Sequence, residues 1–296
     1  MRYSLFMKKL LHEIYGLNVQ EIIPHSRKDS GNDNDLFKVL GDGKEYFLKE
    51  IPGHSKRGDL DLIYRELNKC VLDKSKLVLP IKSLQGKYLV NVKDKEVMLY
   101  PYISHKVFNE VNVDLHRTFE VLEDLFNGFK KILIPAHPFK TYNNWFERGP
   151  IQIRKKVDHH KFLDLFENFI RTRFTELNFE IGNTHFDLNP FNIWLDDERN
   201  ILISDFDNAQ VAAYAKDIFD TCSKYVEVSS DGVRIEESDL EKIFSFSKKY
   251  ISNIEHRDLK FLLLRPKLGN LFDPKSNYSE KELIKKMDDL FDFFHF

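Results

Sequence analysis

Two polar motifs bracket a short apolar hairpin in the second half of the chain, and this arrangement constrains the fold most. The first motif is HFDLNPFN at residues 185–192, and the second is DFD at residues 205–207. Between them, IWL and ILI are separated by the polar turn DDERN. A strand that turns and returns beside itself brings its two ends together. We therefore expect Asp187, Asn192 and Asp205 to converge at one edge of the hairpin.

These three side chains have the chemistry that phosphoryl transfer requires. That reaction needs a carboxylate facing the acceptor hydroxyl and oxygen ligands that hold Mg²⁺ on the nucleotide phosphates. The alternative is that they are ordinary turn residues, because Asp, Asn and Pro populate loops for local hydrogen-bonding reasons. The order of the two motifs around an apolar hairpin favours a functional site.

The first hundred residues are rich in short predicted strands, and the rest of the chain is mostly helical. Alternation predicts strands at residues 19–23, 36–40, 45–51, 87–91 and 97–100, with a Gly41-Asp42-Gly43 turn and one helix from Asp59 to about Leu72. Helical periods follow from residue 104 onward. The pattern indicates an α+β chain divided into residues 1–103 and 104–296.

Two charged residues interrupt apolar faces in the first part of the chain. Lys49 alternates with Phe47 and Ile51 on a predicted strand, and Glu66 lies within the apolar stripe of the helix that begins near Asp59. We expect the two charges to form an ion pair in a cleft. Solvation of both at the edges of their elements is the alternative.

These motifs resemble the aminoglycoside phosphotransferase and choline kinase-like superfamily, whose catalytic loop reads His-x-Asp-x-x-x-x-Asn and precedes a metal-binding Asp motif. The resemblance extends over residues 30–220 and implies a two-lobed protein-kinase-like fold, with an N-terminal antiparallel sheet containing one helix. It implies that Asp187 orients or deprotonates the acceptor hydroxyl. It further implies that Asn192 and Asp205 bind Mg²⁺, with Asp207 as an auxiliary ligand.

The same resemblance implies an ATP site in the first part of the chain. It assigns Lys49 to the phosphates, with Glu66 positioning that lysine. Adenine-binding backbone groups are expected in the hinge at Tyr100 and Tyr102. The phosphate loop is the weakest match, because residues 30–32 (Ser30, Gly31 and Asn32) contain one glycine and fit a plain hairpin turn equally well.

Two more residues of the motif block are expected to be structural. His185 is interpreted as a residue that fixes the loop backbone rather than as an acid or base. Asp217, ten residues after Asp207, is expected to cap or anchor the helix that follows it.

Composition and the spacing of the cysteines limit the kinds of partner that are expected for this protein. The 45 basic and 47 acidic residues give a formal charge of −2, and no apolar run approaches a membrane span, so neither nucleic acid nor a membrane is expected as a partner. The two cysteines fit neither a disulfide framework nor a zinc site, and a cytoplasmic protein is expected. The oligomeric state cannot be read from the sequence.

The segment after the second motif points to the kind of acceptor. Only nine residues separate Asp207 from Asp217, which leaves no room for the activation segment on which protein kinases dock peptides. We therefore predict an ATP- and Mg²⁺-dependent phosphotransferase acting on a hydroxyl of a small molecule such as an aminoglycoside, choline, ethanolamine or a sugar. The alternatives are an atypical Ser/Thr protein kinase and a catalytically silent nucleotide-binding module.

Overall fold

The structure is a computed structural model that describes residues 2–25, 35–52, 59–134, 157, 160–229, 232–271 and 279–295. Its N-terminal part is a five-stranded antiparallel sheet with the strand order β1-β2-β3-β6-β5. The elements of this part are α1 (Arg2–Tyr15), β1 (Val19–Pro24), β2 (Asp35–Gly41), β3 (Lys44–Pro52), α2 (Leu60–Leu67), β4 (Ser75–Leu77), β5 (Val90–Val92) and β6 (Lys95–Pro101).

The tight turn between β2 and β3 sets the register of the central hairpin. Asp42 and Gly43 occupy the two turn positions with φ angles of 48° and 72°. Positive φ at both positions is the type I′ geometry, whose twist matches that of the flanking strands, and Asp-Gly is among its favoured sequences. The predicted hairpin is confirmed, and its register places Lys49 opposite Leu36 on one side and Met98 on the other.

The two faces of the sheet pack against different apolar clusters. Met7 and Leu11 of α1 are buried together with Leu48 of β3 in one cluster. Ile51 of β3 instead joins the main core, which also contains the buried face of α2. Because side chains alternate along a strand, Lys49 points to the α2 side with Ile51.

Helix α2 begins where the sequence predicts and ends earlier. Asp59 is its N-cap, accepting the Leu62 N–H at 3.0 Å. The predicted helix runs to about Leu72, but α2 ends at Leu67. The following chain is extended because the Asp124 carboxylate accepts the backbone N–H groups of residues 73–75, which leads this segment into β4. A tertiary contact thus overrides local helical periodicity.

The C-terminal part is mainly helical, as predicted, and carries several short strands. Its helices are α3 (Leu115–Phe129), α4 (Lys161–Thr172), α5 (Tyr214–Cys222), α6 (Glu237–Ser247), α7 (His256–Leu271) and α8 (Glu280–His295). Its strands are β7 (Lys106–Val107), β8 (Asn178–Phe179), β9 (Ile181–Thr184), β10 (Ile193–Leu195), β11 (Ile201–Ile203), β12 (Gln210–Ala213), β13 (Glu227–Ser229), β14 (Gly232–Arg234) and β15 (Ile251–Ser252). Together with the N-terminal sheet, this arrangement confirms the predicted α+β fold class.

The predicted apolar hairpin is confirmed and forms the centre of a second sheet. β10 and β11 pair antiparallel from Ile193↔Ile203 to Leu195↔Ile201. β7 extends this sheet at one edge, and β4 joins at the other edge by parallel pairing with β11. The sheet therefore ties residues 75–77 to the C-terminal part of the chain. Among the described residues, no helix is both long and apolar enough to cross a membrane.

Candidate active site

The loop between β9 and β10 carries the first polar motif and is held together by its own asparagines. Asn192 donates from Nδ2 to the Asp187 carbonyl at 2.8 Å, and Asn189 donates to Asp187 Oδ1 at 3.0 Å. The Ser204 N–H donates to the Asn192 carbonyl at 2.9 Å, which joins this loop to the end of β11. The hairpin thereby brings the two polar motifs side by side.

His185 fixes the backbone of both motifs from a fully buried position. Its Nε2 lies 2.8 Å from the Ser204 carbonyl, and its Nδ1 accepts the Asp187 N–H at 3.3 Å. Burial lowers the pKa of this imidazole, which favours the neutral ring. Because Nδ1 accepts an N–H and Nε2 faces a carbonyl, the proton of the neutral ring is on Nε2. Both ring nitrogens are used by the backbone, so the described contacts give His185 a structural role.

The lowered pKa of His185 predicts a loss of stability in mild acid. Above pH 6.5 the ring is neutral in both folded and unfolded chains. Below that pH the unfolded chain takes up a proton that the folded state resists, so stability is lost as the pH falls through the lowered folded-state pKa. The His185 imidazole can lower the free energy of unfolding by at most about 1.4 kcal/mol for each pH unit. We expect the free energy of unfolding in urea to fall more steeply from pH 7 to pH 5 in the wild type than in His185→Gln; parallel curves would contradict this assignment.

Asp217 holds the loop between β9 and β10 rather than capping the helix that contains it. It lies in the first turn of α5, whose N-cap, Ala213, makes no side-chain capping bond. The Asp217 carboxylate accepts the N–H groups of His185 and Phe186, both at 2.8 Å. Phe186 has a φ of 66°, an unfavourable conformation for a residue with a side chain. Of the two expected roles, capping is wrong, whereas anchoring agrees with the contacts, because the Asp217 carboxylate joins the first turn of α5 to the loop after β9.

Lys49 meets the second polar motif directly. Its Nζ lies 2.8 Å from Asp205 Oδ1 and 2.8 Å from Asp207 Oδ2. Burial by itself would lower the pKa of this lysine, but the two carboxylates outweigh burial and raise it. Asp205 adopts a left-handed conformation with φ 62°, at the point where β11 gives way to a short 3-10 helix. Lys49 is therefore a charged, immobilised ammonium at the junction of the two parts of the fold.

The predicted ion pair between Lys49 and Glu66 is wrong. Glu66 pairs with Lys69, two residues after the end of α2, and accepts the Leu133 N–H at 3.3 Å. The buried face of α2 is formed by Leu60, Ile63, Tyr64 and Leu67. Since successive residues are about 100° apart around a helix, Glu66 is separated from Tyr64 by about 160° and points away from the side on which Tyr64 lies. Tyr64 instead approaches the lysine site, which is the contact of Lys49 with Asp205 and Asp207. Its hydroxyl donates to Asp207 Oδ1 at 2.9 Å.

A cleft of about 360 Å³ lies between the sheet and the second polar motif. Its lining combines apolar and polar side chains. The lining includes Phe47, Lys49, Tyr100, Ile103, Asn192, Trp194 and Asp205. Mostly apolar walls with a few convergent polar groups are typical of a small-molecule site. Asp187 does not line this cleft but lies on the adjoining loop.

The predicted hinge lies at the cleft, and its residues Tyr100, Tyr102 and Ile103 all contribute to the lining. The Tyr102 N–H donates to the Glu45 carbonyl at 3.2 Å, so it is already used by the sheet. Tyr100 pairs with Phe47 across β3 and β6 and contributes its side chain to the cleft. Within the described part of the chain, the Ile103 N–H has no hydrogen-bond acceptor, and Ile103 lines the cleft. Among these residues, Ile103 therefore supplies the available backbone donor at the hinge.

Sequence reasoning missed several residues of the cleft, among them His105 and Trp194, and it missed Tyr64 beside Lys49. The His105 ring stacks on Trp194 with centroids 3.9 Å apart, next to the hinge. Both lie in the cleft lining, although Trp194 appears in the sequence only as the middle of an apolar strand. Tyr64 is likewise one of several apolar-stripe residues, and no local signal marks its hydroxyl. Ser30, Gly31 and Asn32 fall outside the described residues.

The donor set at the cleft fits a magnesium ion bound together with phosphates. Among the described residues, no cluster of three or more His, Cys, Asp or Glu side chains is arranged to hold a metal by itself. Mg²⁺ is commonly held by one or two protein oxygen ligands together with substrate phosphates. Asn192 uses its Nδ2 for the loop, which leaves its Oδ1 for a cation, and Asp205 lines the same cleft.

The fold is similar to that of solved phosphotransferase structures, and this similarity confirms the predicted two-lobed protein-kinase-like fold. The similar solved structures include the spectinomycin phosphotransferase APH(9)-Ia bound to ADP and spectinomycin, at 15% identity over 97% of each chain with a TM-score of 0.61. Choline kinase LicA from Streptococcus pneumoniae matches at 11% identity over 100% of each chain, with a TM-score of 0.63. A microcompartment-associated aminopropanol kinase matches at 13% identity over 98% of this chain and 96% of its own, with a TM-score of 0.58. No protein-family model and no curated protein sequence matches this chain significantly.

Proposed function

We propose that this protein is a phosphotransferase that moves the γ-phosphoryl group of ATP to a hydroxyl of a small molecule in a Mg²⁺-dependent reaction. One observation carries the proposal: Lys49, Asn192 and Asp205 line one cleft, and the loop that carries Asn192 also carries Asp187. A fixed cation, oxygen ligands for a metal and a carboxylate for the acceptor are the parts that phosphoryl transfer requires. The similar structures that contain ADP or AMP support a nucleotide in this cleft.

The nucleotide base would lie in the cleft next to the hinge. Phe47 on β3 and Trp194 on β10 line the cleft from two different sheets, and the Ile103 N–H is available for a ring nitrogen. Lys49 at the other end would bind phosphate oxygens through its buried ammonium. A nucleotide in this orientation extends from the hinge to Asp205.

Asn192 Oδ1 and Asp205 would hold magnesium, which neutralises phosphate charge that develops during transfer. Asp187 would orient the acceptor hydroxyl and take its proton. Its carboxylate is steadied by Asn189 at Oδ1, and Asn208 lies 3.5 Å from Oδ2. Most of the rate acceleration in such a site comes from positioning and from fixed charge.

A small acceptor is supported by the course of the chain after the second motif. The 3-10 helix Phe206–Asn208 leads into β12, which pairs with β9, and α5 begins at Tyr214. This short path contains no long segment on which a peptide could be docked. We also propose that the protein is cytoplasmic and that its two lobes divide between residues 103 and 104. The experiment below identifies the class of acceptor.

The proposed function is tested by measuring ADP release from Mg-ATP in the presence of each candidate acceptor in turn. The candidates are aminoglycosides, choline, ethanolamine, aminopropanol and sugars. We expect one acceptor class to stimulate ADP release, with labelled phosphate recovered on that molecule. Asp205→Asn should reduce the rate at least about 100-fold, because it removes the charged ligand of the metal. Label recovered on a polypeptide would indicate a protein kinase. ATP binding without transfer to any acceptor would favour a silent module, and absence of ATP binding would reject the proposal.

A further inference from the structure

Both carboxylates that hold Lys49 come from the segment after β11, and none comes from α2. In protein kinases the corresponding lysine is paired with a glutamate of the helix in the N-terminal lobe. The helix here has a glutamate, Glu66, but that side chain is engaged by Lys69 and the Leu133 N–H. Helix α2 reaches the lysine site through Tyr64 instead.

The Tyr64 hydroxyl determines how the Asp207 carboxylate is oriented. It donates to Oδ1 at 2.9 Å, while Lys49 Nζ lies 2.8 Å from Oδ2 of the same carboxylate. Tyr64 is fully buried, and Asp207 is 5% exposed. A buried carboxylate with at least one donor on each oxygen has little freedom to rotate, and a hydrogen bond to a charged group is among the stronger ones.

A second tyrosine extends this contact to the hinge. The Tyr100 hydroxyl lies 2.9 Å from the Tyr64 hydroxyl, and either atom could be the donor in that bond. Each hydroxyl has one proton, and Tyr64 gives its proton to the carboxylate. Tyr100 must therefore donate to the Tyr64 oxygen rather than to Met98 Sδ, a weaker acceptor 3.6 Å from the Tyr100 oxygen. The resulting chain of hydrogen bonds runs from Tyr100 at the end of β6, through Tyr64 on α2, to Asp207 and Lys49.

We infer that Tyr64 is a positioning residue for phosphate binding and takes the place of the helix glutamate used by protein kinases. It acts on Lys49 through Asp207, so the role of Asp207 is to hold the lysine rather than to serve as a metal ligand. The inference rests on the proposed function, because it assigns Lys49 to the phosphates. It goes further by naming the residue on α2 that couples this helix to the nucleotide.

The test compares the ADP affinities of Tyr64→Phe and two controls by calorimetry, without Mg²⁺, well below the melting temperature. Removing one charge-assisted hydrogen bond should weaken ADP binding of Tyr64→Phe about tenfold. Tyr88→Phe is the matched control, since Tyr88 is also buried, its ring centroid lies 6.2 Å from that of Tyr64, and its hydroxyl has no partner within the described residues. Glu66→Gln is the second control. The ADP affinities of both control variants should lie within about twofold of the wild-type value. That change is smaller than the loss of affinity expected when a hydrogen bond to a charged group is removed.

A double-mutant cycle separates positioning from general support of the fold. In an Asp207→Asn background, Tyr64→Phe should cause little further loss of ADP affinity, because the two residues act through one contact. Independent, additive losses would overturn the inference, as would a lowered melting temperature of Tyr64→Phe with unchanged ADP affinity. So would a larger loss in Glu66→Gln than in Tyr64→Phe. A wild-type protein that does not bind ADP would remove the proposed function and this inference together, whereas unchanged Tyr64→Phe binding would remove the inference alone.

Discussion

Asp187→Asn is expected to lower the rate of phosphoryl transfer about 10³-fold while ADP affinity stays within about twofold of the wild type. The change keeps the size of the side chain but removes the group that takes the acceptor proton. It also places an amide nitrogen among the donor groups of Asn189 and Asn208, which lie 3.0 and 3.5 Å from the two carboxylate oxygens. ADP affinity should persist because Asp187 lies outside the cleft lining.

The control for Asp187→Asn is Asp197→Asn, the same chemical change at an exposed position in the turn of the adjoining hairpin. Single-turnover and steady-state rates should both be unaffected by that control. Asp187→Asn retaining a tenth or more of the wild-type rate would remove the catalytic assignment. Loss of ADP binding along with the rate would instead assign Asp187 to the nucleotide or to the fold.

Asp217→Ala is expected to lower the free energy of unfolding by about 3 kcal/mol. The carboxylate is fully buried, and its removal leaves the N–H groups of His185 and Phe186 without acceptors. It also releases Phe186 from the contact that holds its positive φ. Part of the loss is offset, because burial of this carboxylate is itself unfavourable and raises its pKa to about 7.

Asp114→Ala is a matched control for Asp217→Ala, since Asp114 is also a carboxylate that accepts a backbone N–H. It caps α3 by accepting from Arg117 at 2.9 Å, but it is exposed and serves one donor. Its replacement should cost about 1 kcal/mol. Urea unfolding of both variants would measure the difference, and equal losses would show that Asp217 acts only as a helix-end residue.

The parts of the fold that were predicted correctly depend on contacts close in sequence. The β2–β3 hairpin follows from Asp42 and Gly43, which permit the type I′ turn, and from alternation along both strands. The β10–β11 hairpin follows from two apolar triplets around a polar turn. Because that hairpin fixes where its flanking residues meet, the juxtaposition of Asn192 with the second polar motif was also predictable.

The errors concern side chains whose partners are distant in sequence. Periodicity located α2 but did not show that Tyr64 rather than Glu66 faces the lysine site. The early end of α2 depends on Asp124, more than fifty residues after Leu67. Asp217 likewise finds its donors over thirty residues back along the chain, so its position at the start of a helix suggested capping instead.

The sequence by itself determined the α+β fold, the two hairpins and the grouping of Asp187, Asn192 and Asp205, because turn geometry and alternation act between neighbouring residues. Only the tertiary structure decided what surrounds Lys49. An ammonium buried at the junction of the sheet and the helical part must be compensated by whichever carboxylates the packing brings within reach. Those are Asp205 and Asp207, more than 150 residues away, and the hydroxyl of Tyr64 completes the arrangement.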